Sequence, residues 1–134
     1  MTKPMQERRK SHRVEVRVPV RLEEREEEPR GKAIPGQSAN LSEGGVYCDV
    51  EKYLAPLTKV GISLLLPAFG ERFSQPREIS AEGVVVRTLP EKQGRKVARY
   101  RIACCFTNMD ENEKELIREY IIWRLLARLS GSSA

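Results

Sequence analysis

Val14-Glu15-Val16-Arg17-Val18-Pro19-Val20-Arg21-Leu22-Glu23 alternates apolar and polar residues without a break. A period of two belongs to a strand whose side chains point by turns to core and solvent, and β-branched valine suits that pleated geometry. The stretch predicts a half-buried strand with Val14, Val16, Val18, Val20 and Leu22 inside. Pro19 falls on the polar parity and gives the ladder no donor, so it marks an edge or bulge position.

Further strands follow. The acidic run Glu23–Glu28, closed by Pro29 and Gly31, reads as an exposed loop, and Lys32–Leu41 can return as a second strand. Gly44-Gly45 makes a tight turn into a strand over Val46–Val50, and the connection Glu51–Leu57 has room for one helical turn. Val60–Leu66 is an apolar strand stopped by Pro67. Ile79–Leu89 and Lys96–Thr107 complete the set, joined by the turn-rich Pro90-Glu91-Lys92-Gln93-Gly94. Tyr100, Ile102, Cys104 and Phe106 share the core parity and leave Arg99 and Arg101 outside.

The period changes at Asp110. Asp110 with Glu113 forms a capping-box-like start, and Leu116, Ile117, Tyr120, Ile121, Leu125 and Leu129 recur at helical spacing until Gly131. Strands followed by one terminal helix predict a mainly β fold, a six-stranded antiparallel barrel with a C-terminal α-helix packed on it. Ile122, Trp123 and Leu126 widen the helix's apolar stripe beyond one face. The simpler explanation is a helix lying across a barrel opening with both flanks buried; the alternative is a face for a partner or a homodimer.

At 134 residues the chain is long enough for one domain with a real core. Residues 1–21 carry seven Lys or Arg against two Glu, whereas residues 22–134 carry 17 of each sign, so the whole net charge of +5 sits in one arm. The expected organisation is a flexible basic leader over 1–13, a barrel with its helix over 14–129 and a disordered tail over 130–134. A basic arm on a neutral body reads either as an anion-binding device or as a solvated terminus that aids solubility. No apolar run approaches the roughly 20 residues of a membrane span, and none follows the charged start as in a signal peptide, so a cytoplasmic protein is expected. Cys48, Cys104 and Cys105 lack C-x-x-C spacing and read as reduced thiols, with the adjacent pair on opposite strand faces. With His12 as the single histidine, they are too few and too scattered for a zinc site.

Two short motifs carry the chemistry. Arg9 and Arg13 lie four apart in the leader, and strand geometry would put them on the outer face with Arg17 and Arg21, about 13 Å from each other at full extension. A planar guanidinium grips a phosphate or the O6/N7 edge of guanine with two hydrogen bonds and also stacks on a ring, which lysine cannot do. Asn40-Leu41-Ser42-Glu43-Gly44-Gly45 offers short hydrogen-bonding side chains at a strand end, then two glycines that allow unusual backbone conformations and close approach. Taken alone, Asn40 and Ser42 would do no more than stabilise a Gly-Gly turn.

In combination these segments resemble the RxxxR and (D/N)xSxxG motifs of the PilZ domain family, over about residues 8–125. Their order, the interval of 27 positions from Arg13 to Asn40, the intervening strand and the terminal helix make the combination specific. The resemblance implies a PilZ-like six-stranded barrel and a stand-alone receptor for cyclic di-GMP, with a leader that wraps over the nucleotide. By that likeness Arg9 and Arg13 are the paired arginines, Arg8 assists, and Asn40, Ser42, Gly44 and Gly45 form the barrel side of the site. Asn40 departs from the commoner Asp: it keeps an acceptor oxygen and loses a charge, which implies modest affinity with binding retained. The expected output is a rearrangement that signals to a separate protein, with no metal or cofactor beyond the nucleotide.

Competing classes fare worse. For an enzyme, His12 sits between Lys10 and Arg13, whose charges oppose its protonation, and no paired carboxylates, phosphate-cradling loop or nucleophile elbow appears. A small-barrel nucleic-acid binder would display stacking rings, and most of the three Phe, four Tyr and one Trp have core or helix assignments. A PilZ-like adaptor that works through protein contacts without nucleotide is disfavoured by the intact Arg9, Arg13, Ser42 and Gly45.

Overall fold

The computed structural model describes residues 13–25 and 33–129. Expectations for the leader up to His12, the loop 26–32 and the tail 130–134 lie outside those residues. Seven strands precede one helix: β1 Arg13–Val14, β2 Pro19–Glu24, β3 Ile34–Ser42, β4 Gly45–Val50, β5 Lys59–Leu66, β6 Arg77–Gln93, β7 Lys96–Asn108 and α1 Glu111–Leu129. All pairings between them are antiparallel. Six strands close in the order β3-β2-β5-β6-β7-β4 and back to β3, and β1 lies outside that ring, paired with the far end of β3.

The opening alternation is borne out side chain by side chain, for Val14, Val16, Val18, Val20 and Leu22 are all buried. What differs is the ladder, which lapses from Glu15 to Val18. Pro19 has no N–H to give there, and the Ser38 side chain takes over the pairing: its hydroxyl accepts from the Val18 N–H at 2.9 Å and donates to the Val16 carbonyl. The buried Ser38 is thereby satisfied, as a polar group at that depth must be.

Two local expectations are corrected. Glu51–Leu57 forms bends and a turn with no helical turn, and Leu57 adopts a left-handed φ of 77°. The β6–β7 connection is tighter than Pro90–Gly94, because pairing continues to Gln93 opposite Lys96 and leaves a two-residue turn at Gly94-Arg95. Gly94 supplies the positive φ of 68° that such a turn requires.

Helix α1 buries Leu116, Ile117, Tyr120 and Ile121 against the barrel. Glu113 does not close a capping box onto Asp110; its carboxylate accepts from the Ser80 N–H at 3.2 Å and ties the first turn to β6. Nor does the helix bury both flanks. Its 19 residues run about 28 Å, past the last barrel contacts, so Leu125 is only partly buried while Ile122, Trp123, Leu126 and Leu129 are exposed.

Candidate ligand-binding site

The leader enters the sheet at the glycine turn. Arg13 pairs directly with Ser42, and Val14 with Leu41. Cross-strand partners share a face, so the exposed Arg13 and the half-buried Ser42 stand side by side on the outside of the barrel, while Val14 and Leu41 point inward. Asn40 joins that outer face through a bulge. The register of β3 against β4 shifts between Ser38 and Asn40, which lets Ser38 and Leu41 both be buried although they are three residues apart. One extra residue, Ala39, thus turns Asn40 outward, a common use of bulges beside binding sites.

The turn itself is held from within and from behind. The Ser42 hydroxyl accepts from the Gly44 N–H at 3.2 Å, and the Gly44 carbonyl accepts from the Phe106 N–H at 2.9 Å. Neither glycine has a positive φ, so conformational freedom is not their purpose. Their surroundings differ. A Cβ on Gly45 would lie 2.2 Å from the Cys104 carbonyl oxygen, whereas one on Gly44 would meet only the Ser42 hydroxyl at 4.0 Å. Gly45 is therefore required by the close approach of β7, and Gly44 keeps the outer surface open.

Arg13 has no ion-pair partner among the described residues, and its guanidinium lies 5.8 Å from the centroid of the Tyr47 ring. Asn40 likewise has no side-chain hydrogen bond there. Unpaired with other described side chains, these groups are left to solvent at the surface, ready for a polar ligand. Along the same face Arg17 donates to Gln37 at 3.2 Å, and beyond it Arg101 grips Asp49 with two bonds of 2.7 and 3.0 Å. Arg101 holds the Asp49 carboxyl below its usual range, a lowering that the burial of Asp49 partly opposes. An open groove of about 640 Å³ adjoins this row, lined by Arg17, Gln37, Asp49, Lys52 and Arg99 among others.

Glu43, inside the turn, forms a two-bond ion pair of 2.9 and 3.3 Å with Arg118 on α1. The motif residues and the helix are thus mechanically joined. No signal in the sequence pairs residues so far apart.

Of the residues expected at the site, Arg13, Asn40, Ser42, Gly44 and Gly45 are gathered at one corner, and Arg8 and Arg9 lie outside the described residues. Tyr47 was missed. It alternates with buried Val46 and Cys48, so the period-two reading of β4 could have found it on the outer face. Among the described residues no three His, Cys, Asp or Glu side chains gather as a metal site. The Cys48 thiol is pushed well up by its hydrogen bond with the Cys104 thiol and by burial, the reverse of what a nucleophile needs.

A family model of the PilZ domain matches residues 7–123. No curated protein matches the sequence. The fold resembles the Bacillus subtilis inhibitor of motility MotI/DgrA, with 18% identity over 88% of this chain and 51% of that one and a TM-score of 0.71. It also resembles the PilZ domain of Escherichia coli YcgR with c-di-GMP, at 13% identity over 95% and 99% of the two chains and a TM-score of 0.62. A third neighbour is the K. pneumonia MrkH–c-di-GMP complex, at 15% identity over 93% and 55% and a TM-score of 0.61. This chain spans about half the length of the motility inhibitor. A six-stranded barrel, its terminal helix and the family match over most of its length define the class: the chain belongs to the PilZ domain family.

Proposed function

We propose that this protein is a cyclic di-GMP receptor that changes conformation on binding and passes the signal to a separate protein. One observation carries the reading: Arg13 stands directly across from Ser42 on an outer face it shares with Asn40, and among the described residues no charged or polar group satisfies its guanidinium. Guanine edges and phosphates supply the acceptors that such a group lacks. Arg8 and Arg9 would reach the same ligand from the leader. The test is calorimetric titration with cyclic di-GMP. Arg13→Ala should weaken binding by about 1–3 kcal/mol, roughly five- to 150-fold. Unchanged affinity would remove Arg13 from the site, and a wild-type protein that ignores the nucleotide would leave a protein-interaction adaptor as the better reading.

The route outward follows the Glu43–Arg118 pair. Ligand seated on Ser42 and Gly44 would disturb the turn that presents Glu43, and hence the helix that carries Ile122, Trp123, Leu126 and Leu129 on its free face. Beside this face lies an apolar hollow of about 270 Å³ between Phe69, Phe73 and Trp123. A downstream protein would dock there, and a homodimer would use the same surface. Amide exchange with and without nucleotide checks this: protection should rise over residues 5–15 and change over 118–126. A helix indifferent to ligand would mean that the signal leaves by another surface. Among the described residues no helix is long and apolar enough to cross a membrane. Three free cysteines, two of them buried beside each other, support a reducing cytoplasm as the working compartment.

A further inference from the structure

We propose, on the basis of the nucleotide reading above, that Tyr47 is the stacking platform for one guanine of the bound ligand, with Arg13 covering the other face of the base. Tyr47 stands two residues beyond Gly45 on the outer side of β4. Its directly paired cross-strand neighbours are Asn40 on one side and Ala103 on the other, a short amide and a methyl.

The remaining aromatic residues are occupied elsewhere. Tyr53 and Tyr100 meet edge to face at 5.6 Å, and Phe69 packs with Phe73, Tyr120 and Trp123 beside the helix. Phe106 packs against the core. Tyr47 touches no other ring among the described residues; its contact is the Arg13 guanidinium at 5.8 Å from its centroid.

A base held between guanidinium and ring needs two van der Waals layers, about 7–8 Å, and the exposed Arg13, now 5.8 Å from the ring centroid, has to move outward to admit it. The contact between Arg13 and Tyr47 then serves as a placeholder that positions both walls before the ligand arrives. Asn40, directly across from Tyr47, is placed to meet the edge of a base lying on that ring. A polar side chain beside a stacking surface is how a sequence-tolerant π contact becomes selective for one base.

The experiment combines calorimetry on wild type, Tyr47→Phe and Tyr47→Ala with NMR of the tyrosine ring protons during titration with cyclic di-GMP. Tyr47→Phe should bind within about two-fold of wild type and Tyr47→Ala roughly five- to 150-fold more weakly, the range of one base–aromatic stack. Tyr47 ring protons should shift upfield at saturation while those of Tyr53, Tyr100 and Tyr120 stay in place. If Tyr47→Ala fails to fold, the wild-type ring shifts decide alone. Binding by wild type with unmoved Tyr47 protons, or an alanine variant of unchanged affinity, overturns the stacking role and leaves the receptor reading intact. Absence of any wild-type binding overturns both.

Discussion

Gly45→Ala is expected to destabilise the barrel by about 3 kcal/mol, at the upper end of what overpacking costs. The added Cβ would sit 2.2 Å from the Cys104 carbonyl oxygen and 3.3 Å from the Cys105 Cα, both backbone atoms of β7. A flexible side chain could swing aside, but a strand paired on both edges cannot: β7 is held by β4 on one side and by β6 on the other. Gly44→Ala is the control, expected within about 0.5 kcal/mol of wild type because its nearest neighbour would be the Ser42 hydroxyl at 4.0 Å. Urea unfolding of the two variants measures both. Equal stability for Gly45→Ala would show that the β4–β7 approach is looser than described. The contrast also separates two roles in the Gly-Gly pair, since Gly45 serves the sheet whether or not a nucleotide binds.

Arg101→Ala should cost about 3 kcal/mol at neutral pH, because it leaves a buried carboxylate without its partner. Asp49 is 6% exposed and takes two bonds from Arg101, while Arg101 itself is about one-third exposed, which places the loss at the low end for a buried pair. The pair also sets a pH dependence with a definite sign. The hydrogen bonds and charge of Arg101 hold the folded-state pKa of Asp49 below its ordinary 3.8, so the folded protein binds fewer protons than the unfolded chain in that range. Its contribution is full above the unfolded value and disappears as pH falls through the lower folded one. Denaturant melts from pH 7 to pH 2 should show wild type losing stability in that acid window, and Asp49→Asn losing less. Matching acid profiles for the two would assign the acid sensitivity to other carboxylates.

The strands were legible wherever one face is buried. Val14 to Leu22, Val46 to Val50 and Tyr100 to Phe106 alternate because a half-buried strand must; burial follows that parity throughout Val14 to Leu22, while Asp49 and Ala103 are buried at outward positions of the other two. Val60–Leu66 and the α1 stripe were readable for the same reason at their own periods. Reading failed where long-range contacts override local pattern. Glu113 has the spacing of a capping box, yet Ser80 of β6 offers it an unpaired N–H. The stretch Pro90–Gly94 has turn composition, yet pairing with Lys96–Tyr100 keeps it extended as far as Gln93 and leaves only Gly94 of it in the turn. The exposed end of α1 was equally ambiguous, since an apolar stripe records what a helix could bury and not how far its neighbours extend.

From the chain alone came the residue types of the site and their order: an arginine pair in a basic leader, then Asn40 and Ser42 before two glycines. Strand periodicity also put Arg13 on the outer side. Only the tertiary structure decided that they meet. Strict alternation from the inward Ser38 would bury Asn40 and Ser42; the bulge at Ala39 turns them out, and pairing of Arg13 with Ser42 brings the leader to them. Tyr47 and the Glu43–Arg118 pair enter for the same reason. Sequence periodicity assigns a side chain to a face of its own strand, whereas the identity of its neighbours depends on register between strands, which is settled by closing the barrel.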